Sequence, residues 1–309
     1  MFAVFPQRFG RYTLERVVSD TGGQGEIYLA TDRNLDRSVA LKVLKDSLSN
    51  NEEFVGRFFG EAEILLSLDH RNIVKVWNTG EIEGRYFIDM ELLDGLDLRR
   101  WTRAHGAIPF EVTVHLLQHI ASGLQHAHDK GVIHRDVKPE NVMLTTRGEV
   151  KVLDFGLGRI LDEDVRRTVD GTVMGTWSYM SPEQLDGDPA TTSFDVYSLG
   201  AVAYELLSAR PPFTGSPSAI YHKVHTEKPE PVNTLCREAP SELATLVHQM
   251  LAKRPDQRPG EMREVVDALR HVTRALGTPA ADDLLPAFVR DPAGTAAELV
   301  ARRPEHPRG

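Results

Sequence analysis

The sequence predicts an α+β chain in two parts: a β-rich N-terminal part with one main helix, and a larger, mainly helical C-terminal part. Two observations carry this expectation. Up to about residue 92, apolar residues alternate or run in short stretches between turn residues, as in half-buried strands. Beyond that point they recur three to four residues apart over long stretches, as on one face of a helix. The change falls at "LLDGLDL", so the joint is expected near Leu92–Asp94.

The first strands read as "YTLERVV", "EIYLATD" and "SVALKVL". Between Asn50 and Leu68 the spacing of Phe54, Phe58, Ala62 and Leu65 predicts a helix. "IVKVWNTG" and "YFIDMELL" complete the strand-like set. The C-terminal part opens on a long helix, "PFEVTVHLLQHIASGLQHAHDKG", closed by Gly131 as a helix-ending glycine. "SFDVYSLGAVAYELLSA", "SELATLVHQMLA" and "EMREVVDALRHVTRAL" are helical by period. Beyond about Gly277 the chain turns Ala-, Pro- and Asp-rich without a continuous apolar face. Residues 273–309 are expected to form a tail or linker in which one short stretch such as "AAELVARR" docks.

Bulk composition narrows the function classes. The chain has 309 residues, 41% of them hydrophobic, enough to fill a sizeable core. A formal charge of −9 argues against a general nucleic-acid binder. One cysteine, Cys236, allows no intrachain disulfide, which suits a reducing compartment. No apolar run approaches the roughly 18 residues of a membrane span. The expected setting is cytoplasmic, either as a free protein or as the cytoplasmic domain of a longer membrane-anchored one.

Chemistry concentrates in "VIHRDVKPENVML" and the following "VKVLDFGLGRI". Asp136, Asn141 and Asp154 bring three oxygen-bearing side chains within a short span, and Lys138 lies two residues after Asp136. Mg²⁺ prefers a few oxygen ligands completed by phosphate and water. An acid and a lysine beside such ligands suit phosphoryl transfer, which needs one group to orient the nucleophile and others to hold spreading negative charge. Any one of these residues alone would more often be a turn cap. The combination is what points to chemistry.

"HRDVKPEN" resembles the catalytic loop of protein kinases and "DFG" their metal-binding motif. "VALK" resembles the family's third-strand motif and "RFFGEAEIL" its helix glutamate. "GTWSYMSPEQ" is similar to the end of the activation segment, with Ser-Pro-Glu in place of Ala-Pro-Glu, and "DVYSLG" and "RPDQRP" to later landmarks. The glycine stretch "GGQGEIY" is similar to that of bacterial, eukaryotic-like serine/threonine kinases. The resemblance covers about residues 9–272 and its landmarks come in the family's order.

It implies the two-lobed protein-kinase fold, with an N-lobe over 9–93, a C-lobe over 94–272 and the tail over 273–309. It implies Asp136 and Lys138 as catalytic residues, with Lys42 on the α- and β-phosphates and Glu61 as the partner of Lys42. Glu63 competes for that role, but Glu61 falls on the Phe54–Phe58–Leu65 face. Asn141 and Asp154 would hold Mg²⁺, with Mn²⁺ as a substitute. Gly22, Gly23 and Gly25 would cover the phosphates of ATP, and Ile27, Ala40 and Met143 would sandwich the adenine. Met90 would stand as gatekeeper, Glu91 and Leu93 as hinge, and Asp97 would face the ribose. Thr168 and Thr172 are expected regulatory phosphosites, with Arg135 receiving a phosphate. Thr176, Asp195 and the Glu183–Arg258 pair would be structural.

The first loop glycine of the family pattern is missing. Asp20 stands there, or Ser19 if the loop has gained a residue, so the loop reads as altered but functional. The expected activity is transfer of the γ-phosphoryl of Mg·ATP to Ser or Thr hydroxyls of proteins. A transient homodimer is the expected route to autophosphorylation in trans. A pseudokinase or nucleotide-binding scaffold is the alternative, although Lys42, Asp136, Asn141 and Asp154 are all present. A small-molecule phosphotransferase would lack the Ser-Pro-Glu segment. A metal module built on His126 and His128 fails because residues two apart on a helix do not share a face.

Overall fold

The computed structural model describes residues 5–19, 25–155 and 176–303. Two compact units are present, one comprising the described residues up to Asp94 together with Phe155, the other Gly95–Asp154 and the described residues from 176 on. Among the described residues no helix is long and apolar enough to cross a membrane.

The first unit is an antiparallel sheet in the order β1-β2-β3-β4-β6-β5, with one helix. Its strands are β1 (Gln7–Phe9), β2 (Tyr12–Ser19), β3 (Gly25–Asp32), β4 (Arg37–Leu44), β5 (Val76–Ile82) and β6 (Arg85–Glu91). Period-two alternation sends Phe9, Tyr12, Leu14, Val39, Leu41, Val43 and Phe87 into one core. The helix α1 (Glu52–Ser67) starts where the Asn51 side chain accepts from Glu53 N at 3.0 Å, and Glu52 and Glu53 complement the positive helix end. Phe58, Glu61, Ala62 and Leu65 form its buried stripe. "IVKVWNTG" becomes a strand only from Val76, although Ile73 and Val74 are buried.

The second unit begins with β7 (Gly95–Asp97), α2 (Leu98–His105) and α3 (Phe110–Asp129). The short strands β8 (Val142–Thr145) and β9 (Val150–Val152) pair with β7 in the order β7-β8-β9. Then come α4 (Thr192–Ser208), α5 (Pro217–Thr226), α6 (Ser241–Met250) and α7 (Met262–Leu276). Every residue of α4 from Phe194 to Leu207 is buried, as expected of a helix that is apolar on all sides. It is the axis on which the loops of this unit are hung.

The segment expected to be a tail is different. α7 ends at Leu276, as its period predicts, but two further helices follow, α8 (Ala281–Arg290) and α9 (Pro292–Arg302), the second containing the "AAELVARR" stretch up to Arg302. Pro286 sits inside α8 without ending it and Pro292 opens α9 directly after the Asp291 cap, so two short helices with prolines replace one long apolar period, which is why periodicity missed them. Leu284, Leu285, Phe288 and Leu299 are nevertheless buried. Phe288 stacks on Trp101 of α2 with ring centroids 5.3 Å apart. Arg303 grips Glu111 of α3 through two bonds of 2.8 and 3.0 Å.

Candidate active site

In the β-rich unit, strand register gathers residues expected at the nucleotide. Lys42 lies opposite Ile27 on β3 and Ile88 on β6, and Ala40 opposite Leu29 and Met90. Opposed residues share a face, so Ile27, Ala40, Lys42 and Met90 stand together, away from the Val39–Leu41–Val43 face. The Lys42 ammonium donates to Glu61 Oε1 at 2.7 Å, and the two residues are 8% and 4% exposed. Glu63 is exposed. A buried pair of this kind adds little net stability, because desolvation offsets attraction, but it fixes where the ammonium sits. Glu91 is tied to Lys75 twice: its carboxylate accepts from Lys75 N at 2.7 Å, and its own N–H donates to Lys75 O at 2.9 Å. Leu93 follows, half-buried. Gly25 opens β3 where a Cβ would meet Val43 O at 2.9 Å, so only glycine lets β3 and β4 approach there. Gly22, Gly23 and Asp20 lie outside the described residues.

In the helical unit the chemistry-bearing residues lie on a loop. Lys138 Nζ donates to Asp136 Oδ2 at 2.7 Å, and Asn141 Nδ2 donates to the same oxygen at 3.0 Å and to Asp136 O at 2.9 Å. The loop is suspended from Asp195, at the start of α4. Its carboxylate accepts from His134 N at 2.9 Å and Arg135 N at 2.8 Å, and bonds His128 Nε2 at 2.7 Å. Burial opposes the Asp195 charge, but the His128 bond and the His134 contacts outweigh it and hold the carboxyl below its ordinary value. His134 Nε2 bonds Leu153 O at 2.8 Å, and Asp136 N donates back to His134 Nδ1 at 3.2 Å. Arg135 has φ +67° and Asp154 φ +55°, strained values for side-chain-bearing residues that surrounding bonds must enforce. For Arg135 those bonds are the one to Asp195 and one from Gln184 Nε2 to its carbonyl at 2.7 Å.

The donor set fits a divalent metal that keeps water and phosphate. With Asn141 Nδ2 committed to Asp136, its Oδ1 is the atom left to face a cation. Leu153 N donates to Asn141 O at 2.8 Å, tying the residue before Asp154 to Asn141. Among the described residues no cluster of three or more His, Cys, Asp or Glu forms an all-protein cage. A two-ligand set is what Mg²⁺ commonly takes beside substrate phosphates.

Asp97 on β7 pairs directly with Met143 on β8, so two residues expected at the nucleotide meet on one face. Asp97 also caps α2, accepting from Arg100 N at 2.8 Å. Gly95 makes this pairing fit, since a Cβ there would fall 2.2 Å from Leu144 O. Further on, the Arg258 guanidinium grips Glu183 through bonds of 2.5 and 2.8 Å. It also donates to Ala252 O, Ser193 O and Lys253 O, with its side chain wholly buried. Ser181, standing where the resemblance has alanine, caps the helical turn Pro182–Leu185 by accepting from Gln184 N at 3.3 Å. Thr176 begins the turn Thr176–Tyr179, while Thr168 and Thr172 lie outside the described residues.

Sequence reasoning missed several residues that hold this site. His128, which by spacing offers only half of a metal pair, bonds Asp195, 67 positions away. Gln184, Arg99, Tyr179 and Glu205 carried no local signal, because their partners lie on distant elements.

Residues 18–272 match the family described as "Protein kinase domain". The serine/threonine-protein kinase PknA of Mycobacterium tuberculosis is 37% identical over 303 residues, covering 94% of this chain and 69% of PknA. A probable serine/threonine-protein kinase of Clostridium perfringens is 37% identical over 265 residues, covering 85% of this chain but 38% of that protein. Against some relatives, therefore, this chain spans well under half their length. Among solved structures, the kinase domain of Mycobacterium tuberculosis PknI aligns with a TM-score of 0.68 and 28% identity, covering 87% of this chain and 98% of that one.

Proposed function

The chain belongs to the protein kinase domain family and is of the serine/threonine type, and from that premise we propose how its residues divide the reaction. The carrying observation is the Asp136 carboxylate, held at 2.7 Å by Lys138 and 3.0 Å by Asn141. Asp136 accepts the hydrogen bond of a Ser or Thr hydroxyl and aims its oxygen at the γ-phosphorus of ATP. A bond forms from that oxygen to phosphorus while the bond to the β-phosphate oxygen breaks, giving a phosphoprotein and ADP, and the hydroxyl proton passes to Asp136. Lys138 neutralises the phosphoryl group in flight. Lys42, oriented by Glu61, takes the α- and β-phosphates. The family uses ATP with a divalent metal; here we assign Mg²⁺, with Mn²⁺ as a substitute, which Asn141 and Asp154 would hold and which would supply charge neutralisation to the phosphates. Ile27, Ala40 and Met143 are assigned to the adenine, Met90 to the gatekeeper position, Glu91 and Leu93 to the hinge, and Asp97 to the ribose.

The same reading assigns autophosphorylation in trans, through a transient homodimer, to Thr168 or Thr172, with Arg135 receiving the phosphate. It assigns a cytoplasmic setting, supported by the lone cysteine. The test is intact mass and peptide mapping after incubation with Mg·ATP, beside Asp136→Asn. Phosphate gained by the wild type and absent from the variant is the expected result. ATP binding with no phosphate gained on any residue or added acceptor would overturn the reading in favour of a pseudokinase.

A further inference from the structure

Arg99 lies in the first turn of α2, and its guanidinium joins three other elements. Nε donates to Glu140 Oε1 at 2.8 Å, in the turn between Lys138 and Asn141. The terminal nitrogens donate to the Glu205 carboxylate on α4 and to the Tyr179 hydroxyl, and Tyr179 donates to the other Glu205 oxygen. The Tyr179 carbonyl is pinned in turn by Ser198 Oγ at 2.8 Å. Glu205 is wholly buried and Tyr179 is 2% exposed. One planar cation thus serves two carboxylates and a phenol.

Filling this volume would not require such a knot, since apolar side chains pack as well or better than buried charges. What a guanidinium adds is direction: its planar fork fixes three partners at set angles. The partners stand beside the residues assigned to phosphoryl transfer. Glu140 directly precedes Asn141 and follows Lys138 by two, and Tyr179 lies four residues before Glu183.

We propose that Arg99 is a positioning residue for phosphoryl transfer, fixing the Lys138–Asn141 turn against the Tyr179 end of the segment and against α4. It touches none of the reacting atoms. The inference rests on the kinase reading above, and misplacing a catalytic group by an ångström is enough to cost a large factor in rate.

The test compares wild type, Asp136→Asn, Arg99→Met, Arg99→Lys and the double variant Arg99→Met/Glu205→Gln. Each is followed by thermal melting, by the KM for ATP and by kcat for transfer to myelin basic protein. Arg99→Met is expected to lower kcat by about 30-fold while leaving the KM for ATP within about threefold. Arg99→Lys keeps the charge but not the fork, and is expected to lower kcat by about tenfold. The double variant, freed of the unpaired buried charge, is expected to regain melting temperature without regaining kcat. Should Arg99→Met fail to fold, Arg99→Lys and the double variant carry the test. Variants that melt like wild type and also turn over like it would overturn the positioning role, leaving Arg99 a packing residue. A wild type no more active than Asp136→Asn would instead overturn the kinase premise, and the proposal with it.

Discussion

The two units position their functional side chains by different physics. In the β-rich unit, Ile27, Ala40, Lys42 and Met90 share a face because strand register puts them there, and one contact from α1, Glu61 to Lys42, completes the arrangement. In the helical unit, Asp136, Lys138 and Asn141 lie on a loop with no ladder to hold it. Their place is set by side-chain acceptors and donors reaching in from other elements: Asp195 and Gln184 onto the loop backbone, and His134 onto Leu153. A regular element spreads the work of positioning over many backbone bonds. A loop concentrates it in a few buried polar atoms, each expensive to lose.

The sharpest way to break this contrast is Asp195→Asn. One carboxylate serves two backbone N–H groups and His128, whereas an amide offers a single acceptor oxygen and turns an NH₂ toward the remaining donors. Each orphaned buried donor costs about 1–3 kcal/mol. Turnover is expected to fall by about 1000-fold, or roughly 4 kcal/mol of barrier, with ATP affinity changed only a few-fold because the sheet is untouched. The pH dependence carries a second signature. The folded Asp195 carboxyl lies below its unfolded value of about 4, so its contribution is present above that value and lost as pH falls through the folded one. Denaturant titrations of Asp195→Asn from pH 7 to 3 are therefore expected to show a flatter acid limb than wild type. An unchanged acid limb, or wild-type turnover, would mean the loop is held by something else.

Arg258→Lys ranks next. Arg258 reaches Glu183 twice, along with the carbonyls of Ala252, Ser193 and Lys253. A lysine retains the charge but has three donors on a single nitrogen and cannot span those directions. Chemical unfolding is expected to show a loss of about 3 kcal/mol, the lower end for disturbing a buried pair from one side. Turnover should fall less than in Asp195→Asn, because the anchored residue is Glu183 and not the loop that carries Asp136. A larger kinetic than thermodynamic effect would place Glu183 nearer the chemistry than this geometry suggests.

What was legible in the sequence follows the same division. Strands such as "SVALKVL" and the α1 stripe announce themselves because their periodicity is local, and Glu61 could be preferred to Glu63 from helix spacing alone. The motif residues were legible through resemblance, since a short string such as "HRDVKPEN" carries its chemistry in adjacent positions. Arg99, His128 and Glu205 left no mark, because each is defined by a partner far along the chain: Arg99 meets Glu205 across 106 positions. The helices α8 and α9 were hidden for another reason. They are short, they carry prolines at 286 and 292, and only their contacts show that they are packed: Phe288 on Trp101, and Arg303, just past α9, on Glu111.

The smallest of these three effects is expected in the β-rich unit, from Glu61→Gln on α1. The amide keeps the shape and one acceptor oxygen, and Lys42 is still aimed by the register of β3, β4 and β6. What is lost is the charge that favours the ammonium at 2.7 Å, so kcat is expected to fall by about 30-fold, or roughly 2 kcal/mol of barrier, with melting temperature nearly unchanged. The exposed Glu63 supplies the control: Glu63→Gln should match wild type in transfer assays and melting curves. If Glu61→Gln instead loses as much as Asp195→Asn, register contributes little to aiming Lys42, and the ion pair positions it alone. The sheet would then depend on a few polar atoms as heavily as the loop does, and the contrast between the two units would disappear.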